Sequence, residues 1–165
     1  MLLTIAGVLG AAAVFNAVYP ALTRSSSAVI SASAKVDDRL KSDIELIHAV
    51  GELDSGGDFQ DTNSNAKFDF FVWVKNIGDT RIDAIIDSDL FLGTTGNFVR
   101  VPHESEVEAS VYPRWSYTLE NNATEWTPRV TVKVTVTYDS TQDSATYDVK
   151  FIIPNGITDQ HFFSI

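Results

Sequence analysis

The N-terminal stretch from Leu2 to Leu22 contains no charged residue, and this feature constrains the fold more than any other. As an α-helix it would be about 30 Å long, which matches the hydrocarbon core of a bilayer. A cleaved secretory signal carries basic residues before its apolar run, whereas the first basic residue here, Arg24, follows the run. A buried core helix of this length is unusual in a chain of 165 residues. The pattern therefore favours a membrane anchor or a filament-core helix.

Small and polar residues in this stretch indicate contact between helices. Glycines let two helices approach closely, and an amide in an apolar medium seeks a partner on a neighbouring helix. Beyond Arg24, apolar residues recur at helical spacing among charged ones, which predicts that the helix continues as an amphipathic one. Its apolar stripe should pack either on the following domain or on the same helix of another copy. We therefore predict one helix over residues 1–50. Its assembly surface comprises Gly7, Gly10, Asn16, Val29, Val36, Leu40, Ile44 and Ile47.

The remainder of the chain is predicted to be a turn-rich linker over residues 51–67 and a β domain over residues 68–165. Arg129 to Tyr138 alternates valines with threonines and a lysine, the period-2 pattern of a half-buried strand. Similar short apolar runs, separated by turn signals and without helical pattern, predict an all-β immunoglobulin-like sandwich preceded by one long helix, pilin-like in overall shape. The other predicted strands are Phe68 to Asn76, Ile82 to Leu92 with an interruption at Asp87, Phe98 to Val101, Trp115 to Leu119, Tyr147 to Ile153 and His161 to Ile165.

Composition excludes several classes of function. The net charge of −10 disfavours nucleic-acid binding, because the chain would approach phosphates against its own field. Without cysteine the chain has no thiolate metal site and no cysteine nucleophile. The three histidines have no metal-ligand spacing, and neither a phosphate-binding loop nor a nucleophile elbow occurs. We therefore predict a protein that is not an enzyme and needs no cofactor, apart from the cation considered next.

A run of alternating side-chain oxygens at Asp61, Asn63, Asn65 and Asp69 resembles the first half of a calcium-binding loop. Two positions depart from that pattern: Ala66 stands where glycine is expected, and Val72 stands where the twelfth-position glutamate is expected. A polar loop that caps a strand is the alternative interpretation.

The triplet that begins at Asn122 and ends at Thr124 is an N-glycosylation sequon. It lies between two predicted strands, and we place the domain outside the cell. Since such triplets also occur by chance, modification of Asn122 is a hypothesis that an intact mass would test.

Several motifs resemble the archaellar G protein family, FlaG, which belongs to the stator of the archaeal motility filament. The most specific is VWVKNIGDTRI, from Val72 to Ile82, which follows a long N-terminal helix. Four further segments fit the same pattern: DIELIHAVGE, SDLFL, WSYTLE from Trp115 to Glu120, and IIPNGITDQHFF. The resemblance covers nearly the whole chain.

The resemblance implies a non-catalytic archaellum component with a membrane-rooted helix and a β-sandwich between membrane and surface layer. It implies self-association and binding to the related archaellar F protein, with the surface layer or other archaellum parts as further partners. Two alternatives share the architecture: a type IV pilin-like filament subunit, adhesive or archaellin-like, and a membrane-tethered binding module for calcium or glycan.

Overall fold

A long helix, α1 (Leu2–Lys41), precedes a set of β-strands in the structure, a computed structural model. The structure describes the backbone of residues 2–165 and the side chains of residues 18–20 and 23–165. The chain divides into two units, Met1–Asp38 and Arg39–Ile165. The first unit is helical where it is described, and the second contains all of the strands.

The second unit is a sandwich of two four-stranded antiparallel sheets, which confirms the predicted fold class. The first sheet has the order β1-β2-β6-β5 and the second the order β4-β3-β7-β8. The strands are β1 (Ile44–Gly51), β2 (Phe68–Asn76), β3 (Asp89–Thr94), β4 (Asn97–Val101), β5 (Arg114–Leu119), β6 (Thr131–Tyr138), β7 (Thr146–Ile152) and β8 (Thr158–Ser164).

The centre of the first sheet follows the alternation predicted from sequence. On β2 the inward residues Phe70, Val72 and Val74 are fully buried, and they lie opposite the buried valines of β6. The outward residues Phe71 and Trp73 are only half-buried. Successive side chains of a strand point to opposite faces of the sheet. The inner face of the β2–β6 pair is therefore apolar and packs in the core, while its outer face is partly exposed.

Aromatic rings fill the space between the sheets. The Trp115 ring of β5 meets the Phe151 ring of β7 edge-on, with centroids 5.8 Å apart, and Trp126 meets Phe151 at 6.2 Å. At the other end of the core, Phe70 contacts Tyr147 and Phe163 at 5.0 and 5.7 Å. Edge-to-face pairs at these distances add to the free energy gained by burial. Trp115 and Trp126 are thus core residues.

The predicted helix over residues 1–50 is wrong in its last part, because α1 ends at Lys41 and Ile44–Gly51 forms β1. The prediction placed Ile44 and Ile47 on one helical stripe with Leu40, whereas the structure buries Ile44 and leaves Ile47 46% exposed. A β-bulge lies between Leu46 and His48. The bulge shifts the inward face by one residue, so the buried apolar residues are Ile44, Leu46 and Ala49. Ile44 and Ile47 are thus three residues apart, as on one face of a helix, without sharing a face of the strand. The predicted linker accordingly begins at the end of a strand.

The predicted strand from Ile82 to Leu92 is interrupted at Asp87 as expected, but the part before the interruption is not a strand. Ile82 forms an isolated bridge with Trp126, and Ile85–Asp87 is a 3₁₀ turn, so β3 begins only at Asp89. Two further 3₁₀ turns, Glu104–Glu106 and Glu120–Asn122, connect later strands.

Candidate functional site

The motif from Val72 to Ile82, on which the resemblance depends, ends β2 and forms a turn that is hydrogen-bonded to the segment before β1. Asn76 is fully buried; its Nδ2 donates to the carbonyls of Thr80 (2.9 Å) and Trp126 (3.1 Å). Its Oδ1 accepts from the Gly78 N–H at 3.0 Å. Asparagine supplies both donors and acceptor in one short side chain, so it can satisfy three backbone groups at once.

Gly78 lies directly against the chain segment that connects α1 to β1. The N–H groups of Ile77 and Gly78 donate to the Asp43 carbonyl, and Asp79 N–H donates to the Lys41 carbonyl at 2.7 Å. A Cβ at Gly78 would lie 2.5 Å from the Asp43 nitrogen and 2.6 Å from the Lys41 oxygen. These contacts are to backbone, which cannot rotate away. The motif therefore has a structural role that requires glycine.

The described part of α1 exposes its large apolar side chains. Val29, Ile30, Val36 and Leu40 are 65%, 66%, 57% and 80% exposed. Of the other predicted assembly residues, Ile44 is buried in β1 and Ile47 is about half exposed on the same strand. The structure thus brings Val29, Val36 and Leu40 together on one helix and removes Ile44 and Ile47 from it. Gly7, Gly10 and Asn16 lie outside the residues whose side chains are described.

Within the residues that the structure describes, no helix is long and apolar enough to cross a membrane. Most of the predicted anchor, residues 2–17, 21 and 22, lies outside the described side chains.

The candidate calcium loop, residues 61–69, connects to β2 and is held by Glu52, which follows β1. Glu52 Oε1 accepts hydrogen bonds from Thr62 N–H, Thr62 Oγ1 and Asn63 N–H at 2.9, 2.7 and 3.1 Å. Its Oε2 accepts from Asp69 N–H at 3.3 Å. Glu52 is only 4% exposed, and sequence reasoning missed it because it lies outside the alternating run.

The predicted ligands Asp61, Asn63, Asn65 and Asp69 converge in this loop. Asp69 Oδ2 accepts from the amide nitrogens of Asn63 and Asn65 at 3.2 and 3.4 Å. Asp61 accepts from the backbone N–H groups of Asn65 and Ala66. Over the described residues, no three His, Cys, Asp or Glu side chains are grouped to hold a metal ion, so a cation site in this loop would need amide and backbone oxygens in addition to its carboxylates.

The predicted glycosylation site Asn122 is exposed and ends the 3₁₀ turn Glu120–Asn122. Its φ of 57° places it in the left-handed region, which asparagine tolerates. The side chain is accessible on a surface loop, and its modification stays a prediction.

A polar network fastens β4 to the segment that follows it. Arg100 donates to Asp89 at 2.6 Å and to Glu106 at 2.9 Å; these hydrogen bonds raise the pKa of the guanidinium. Glu106 accepts from the His103 N–H, which lowers the pKa of this carboxyl. His103 Nδ1 accepts from Ser105 N–H at 3.1 Å, and its ring packs edge-on against Trp115. Burial lowers the pKa of the His103 imidazole.

Taken together, the long N-terminal helix and the two-sheet sandwich define a helix-bearing β-sandwich protein. A sequence model of the archaeal-type flagellin family matches residues 1–162. The chain therefore belongs to the archaeal-type flagellin family. A curated relative, an uncharacterized protein of Archaeoglobus fulgidus, is 27% identical over 169 residues, covering 99% of this chain and 94% of the relative.

Two solved structures share the fold. The archaellum periplasmic stator protein FlaG of Sulfolobus acidocaldarius superposes with a TM-score of 0.55 at 20% identity, over 74% of this chain and 99% of FlaG. A chain of the FlaF and FlaG stator complex of the same organism gives a TM-score of 0.54 at 17% identity, over 73% of this chain and 87% of that chain. The predicted resemblance to FlaG is confirmed in the fold.

Proposed function

We propose that this protein is a non-catalytic structural component of the archaellum machinery, of the anchoring or stator type. The observation that supports the proposal most directly is the row of exposed apolar residues on α1, including Val29, Val36 and Leu40, on a chain with the FlaG fold. Apolar helix positions that face water in one copy gain free energy when they pack on another copy, at about 25 cal/mol per Å² removed from water.

In this proposal the helix has two segments with different environments. The uncharged segment, residues 2–22, enters the cell membrane as an anchor, and the amphipathic segment packs against the same helix of other copies. The β-sandwich lies outside the cell and makes the outward contacts. Its acidic surface suits an aqueous space rather than a membrane surface rich in anionic lipids.

The partner that the comparisons favour is the related archaellar F protein. This proposal depends on the solved stator complex in which FlaF and FlaG occur together. Co-purification of the full-length protein with its F-type counterpart would support the stator assignment, and two separate peaks at micromolar concentration would argue against it.

A filament subunit is the second candidate, because the archaeal-type flagellin family match extends over residues 1–162 and includes the N-terminal helix. Electron micrographs of the full-length protein distinguish the two candidates. Long filaments of constant diameter would favour the subunit, whereas rings, caps or short static assemblies would favour the stator.

The helix interface is tested by placing charges on the apolar stripe. Val29→Glu with Val36→Glu should reduce self-association in detergent, measured by analytical ultracentrifugation, because each charge would have to be desolvated at the interface. Ser27→Glu with Ala34→Glu is the matched control, since these positions lie about 160° around the helix from the stripe. Equal association of both double variants would contradict assembly through this face.

A further inference from the structure

We propose that the loop formed by residues 61–69 binds a calcium ion through the side chains of Asp61, Asn63, Asn65 and Asp69. The carbonyl of Lys67 is a further ligand. The proposal depends on the burial and charge of this loop, and it holds whether the protein is a stator component or a filament subunit.

The buried carboxylate of Asp69 is the observation that points to a cation. Asp69 is 4% exposed, and its Oδ1 is buried without any hydrogen-bond partner. Removing an ionised carboxylate from water without a compensating charge is strongly unfavourable. The other oxygen, Oδ2, faces Asn63 and Asn65, so the carboxylate is directed into the candidate loop.

The charge of Asp69 is not compensated within the described part of the chain. Neither Asp69 nor the equally buried Glu52 forms an ion pair with any described residue. Lys67, which lies in the loop itself, turns its ammonium group over the Tyr112 ring, 4.3 Å from the centroid. Glu52 accepts the backbone N–H of Asp69, so two buried carboxylates lie close together, and a bound cation would offset their charge.

Glu52 is not a ligand in this proposal, because its oxygens already accept four hydrogen bonds from the loop. It positions the loop instead. The calcium-loop pattern has a glutamate at its twelfth position, and the fully buried Val72 stands there in this chain.

The loop carries the oxygen donors that a calcium ion requires, and in this proposal two of them reorient when the ion binds. Asn63 Oδ1 accepts from Asn65 N–H and Asn65 Oδ1 from Lys67 N–H, and both hydrogen bonds are exchanged for contacts with the ion. Their nitrogens now meet Asp69 Oδ2, and a half-turn of each amide would direct its oxygen to a cation at that place. Ala66 adopts a φ of 57°, the left-handed conformation that glycine supplies in calcium loops.

Calcium is favoured over magnesium because the donors are many, all oxygen, and carried by an irregular loop. Magnesium demands a near-ideal octahedron and retains its water, whereas calcium accepts six to eight oxygens in variable geometry. With two carboxylates and no twelfth-position glutamate, we expect a dissociation constant of about 10⁻⁴ M, as in extracellular modules.

The test is calorimetric and thermal titration of the full-length protein in detergent with CaCl₂, after treatment with a chelator. Calcium at about 10 mM should give a saturable binding heat and raise the melting temperature by about 5 °C. The same concentration of MgCl₂, and NaCl of equal ionic strength, should give a smaller shift. Absence of binding heat with calcium, or an equal shift with magnesium and calcium, would overturn the proposal.

Two variants locate the site. Asp69→Asn removes the buried charge and should abolish the calcium-dependent shift. Asp148→Asn is the matched control, since Asp148 is also buried, at 7% exposure, but lies in β7 and accepts its hydrogen bonds from Gln160. This variant should retain the shift. Retention of the shift in Asp69→Asn would overturn the assignment, and the wild-type calorimetry decides the question if that variant fails to fold.

Discussion

Replacing Gly78 by alanine tests the contact between the family motif and the segment that enters the sandwich. The new methyl group would meet the backbone of Lys41 and Asp43 at 2.6 and 2.5 Å, well inside van der Waals contact. Neither neighbour is the end of a flexible side chain. The segment must therefore move, and the three backbone hydrogen bonds from residues 77–79 to Lys41 and Asp43 must lengthen.

The expected loss of stability follows from these contacts. Overpacking of a well-packed site costs about 1–3 kcal/mol, and each backbone hydrogen bond contributes about 1 kcal/mol net. Since the segment can relax in part, we expect Gly78→Ala to lower the free energy of unfolding by about 2 kcal/mol. For a chain of this size that corresponds to a fall in melting temperature of about 4–8 °C.

The assay is urea unfolding of the full-length protein in detergent, followed by tryptophan fluorescence. Trp115 and Trp126 are buried in the core and report global unfolding. Gly56→Ala is the control, because a Cβ at this exposed glycine meets only the Asp54 side chain, at 3.2 Å or more. It should change stability by less than about 0.5 kcal/mol. If Gly78→Ala is as stable as this control, the close contact does not constrain residue 78.

Three further measurements test other parts of the structure. Asn76→Ala removes three hydrogen bonds of a fully buried side chain and should lower the free energy of unfolding in urea by about 3 kcal/mol. Replacing the exposed Asn97 by alanine should leave that free energy almost unchanged, and equal losses in the two variants would show that the buried amide does not stabilise the turn. Burial lowers the pKa of folded His103 below the ordinary value of 6.5, so just below that pH the unfolded chain binds more protons and stability falls as the pH decreases. His103→Asn, which keeps an acceptor for the Ser105 N–H, should flatten this slope between about pH 7 and pH 5, and an unchanged slope would assign it to other groups. Burial raises the pKa of Tyr138 to about 12, so its phenolate absorption should appear only near that pH while the protein is folded, and ionisation of all tyrosines near pH 10 would contradict the packing.

The sequence predicted those elements whose side chains alternate without interruption. The valines of β6 and the aromatic and aliphatic residues of β2 face the core as their period of two requires. Such a pattern is local, since each side chain's face depends only on its position along the strand. The architecture of a helix followed by a sandwich could therefore be predicted before any contact was known.

In the candidate calcium loop, some of the relevant residues could be predicted from sequence and others could not. Its candidate ligands could be selected from spacing alone, because calcium loops carry side-chain oxygens at every second residue. Glu52 could not be selected, because it is brought to the loop by the pairing of β1 with β2. The burial of Asp69 is likewise a consequence of its place at the start of β2.

What the sequence by itself determined was the apolar N-terminal segment, the strand pattern of the sandwich and the polar loop before β2, all of which depend on neighbouring residues. Only the tertiary structure decided that Ile44–Gly51 is a strand, because the three-residue spacing of Ile44 and Ile47 also fits a helix and the partner strand β2 lies at least 17 residues further on. Only the tertiary structure revealed why Gly78 is a glycine. The backbone that excludes a side chain there belongs to Lys41 and Asp43, and contacts between distant segments leave no local periodicity in a sequence.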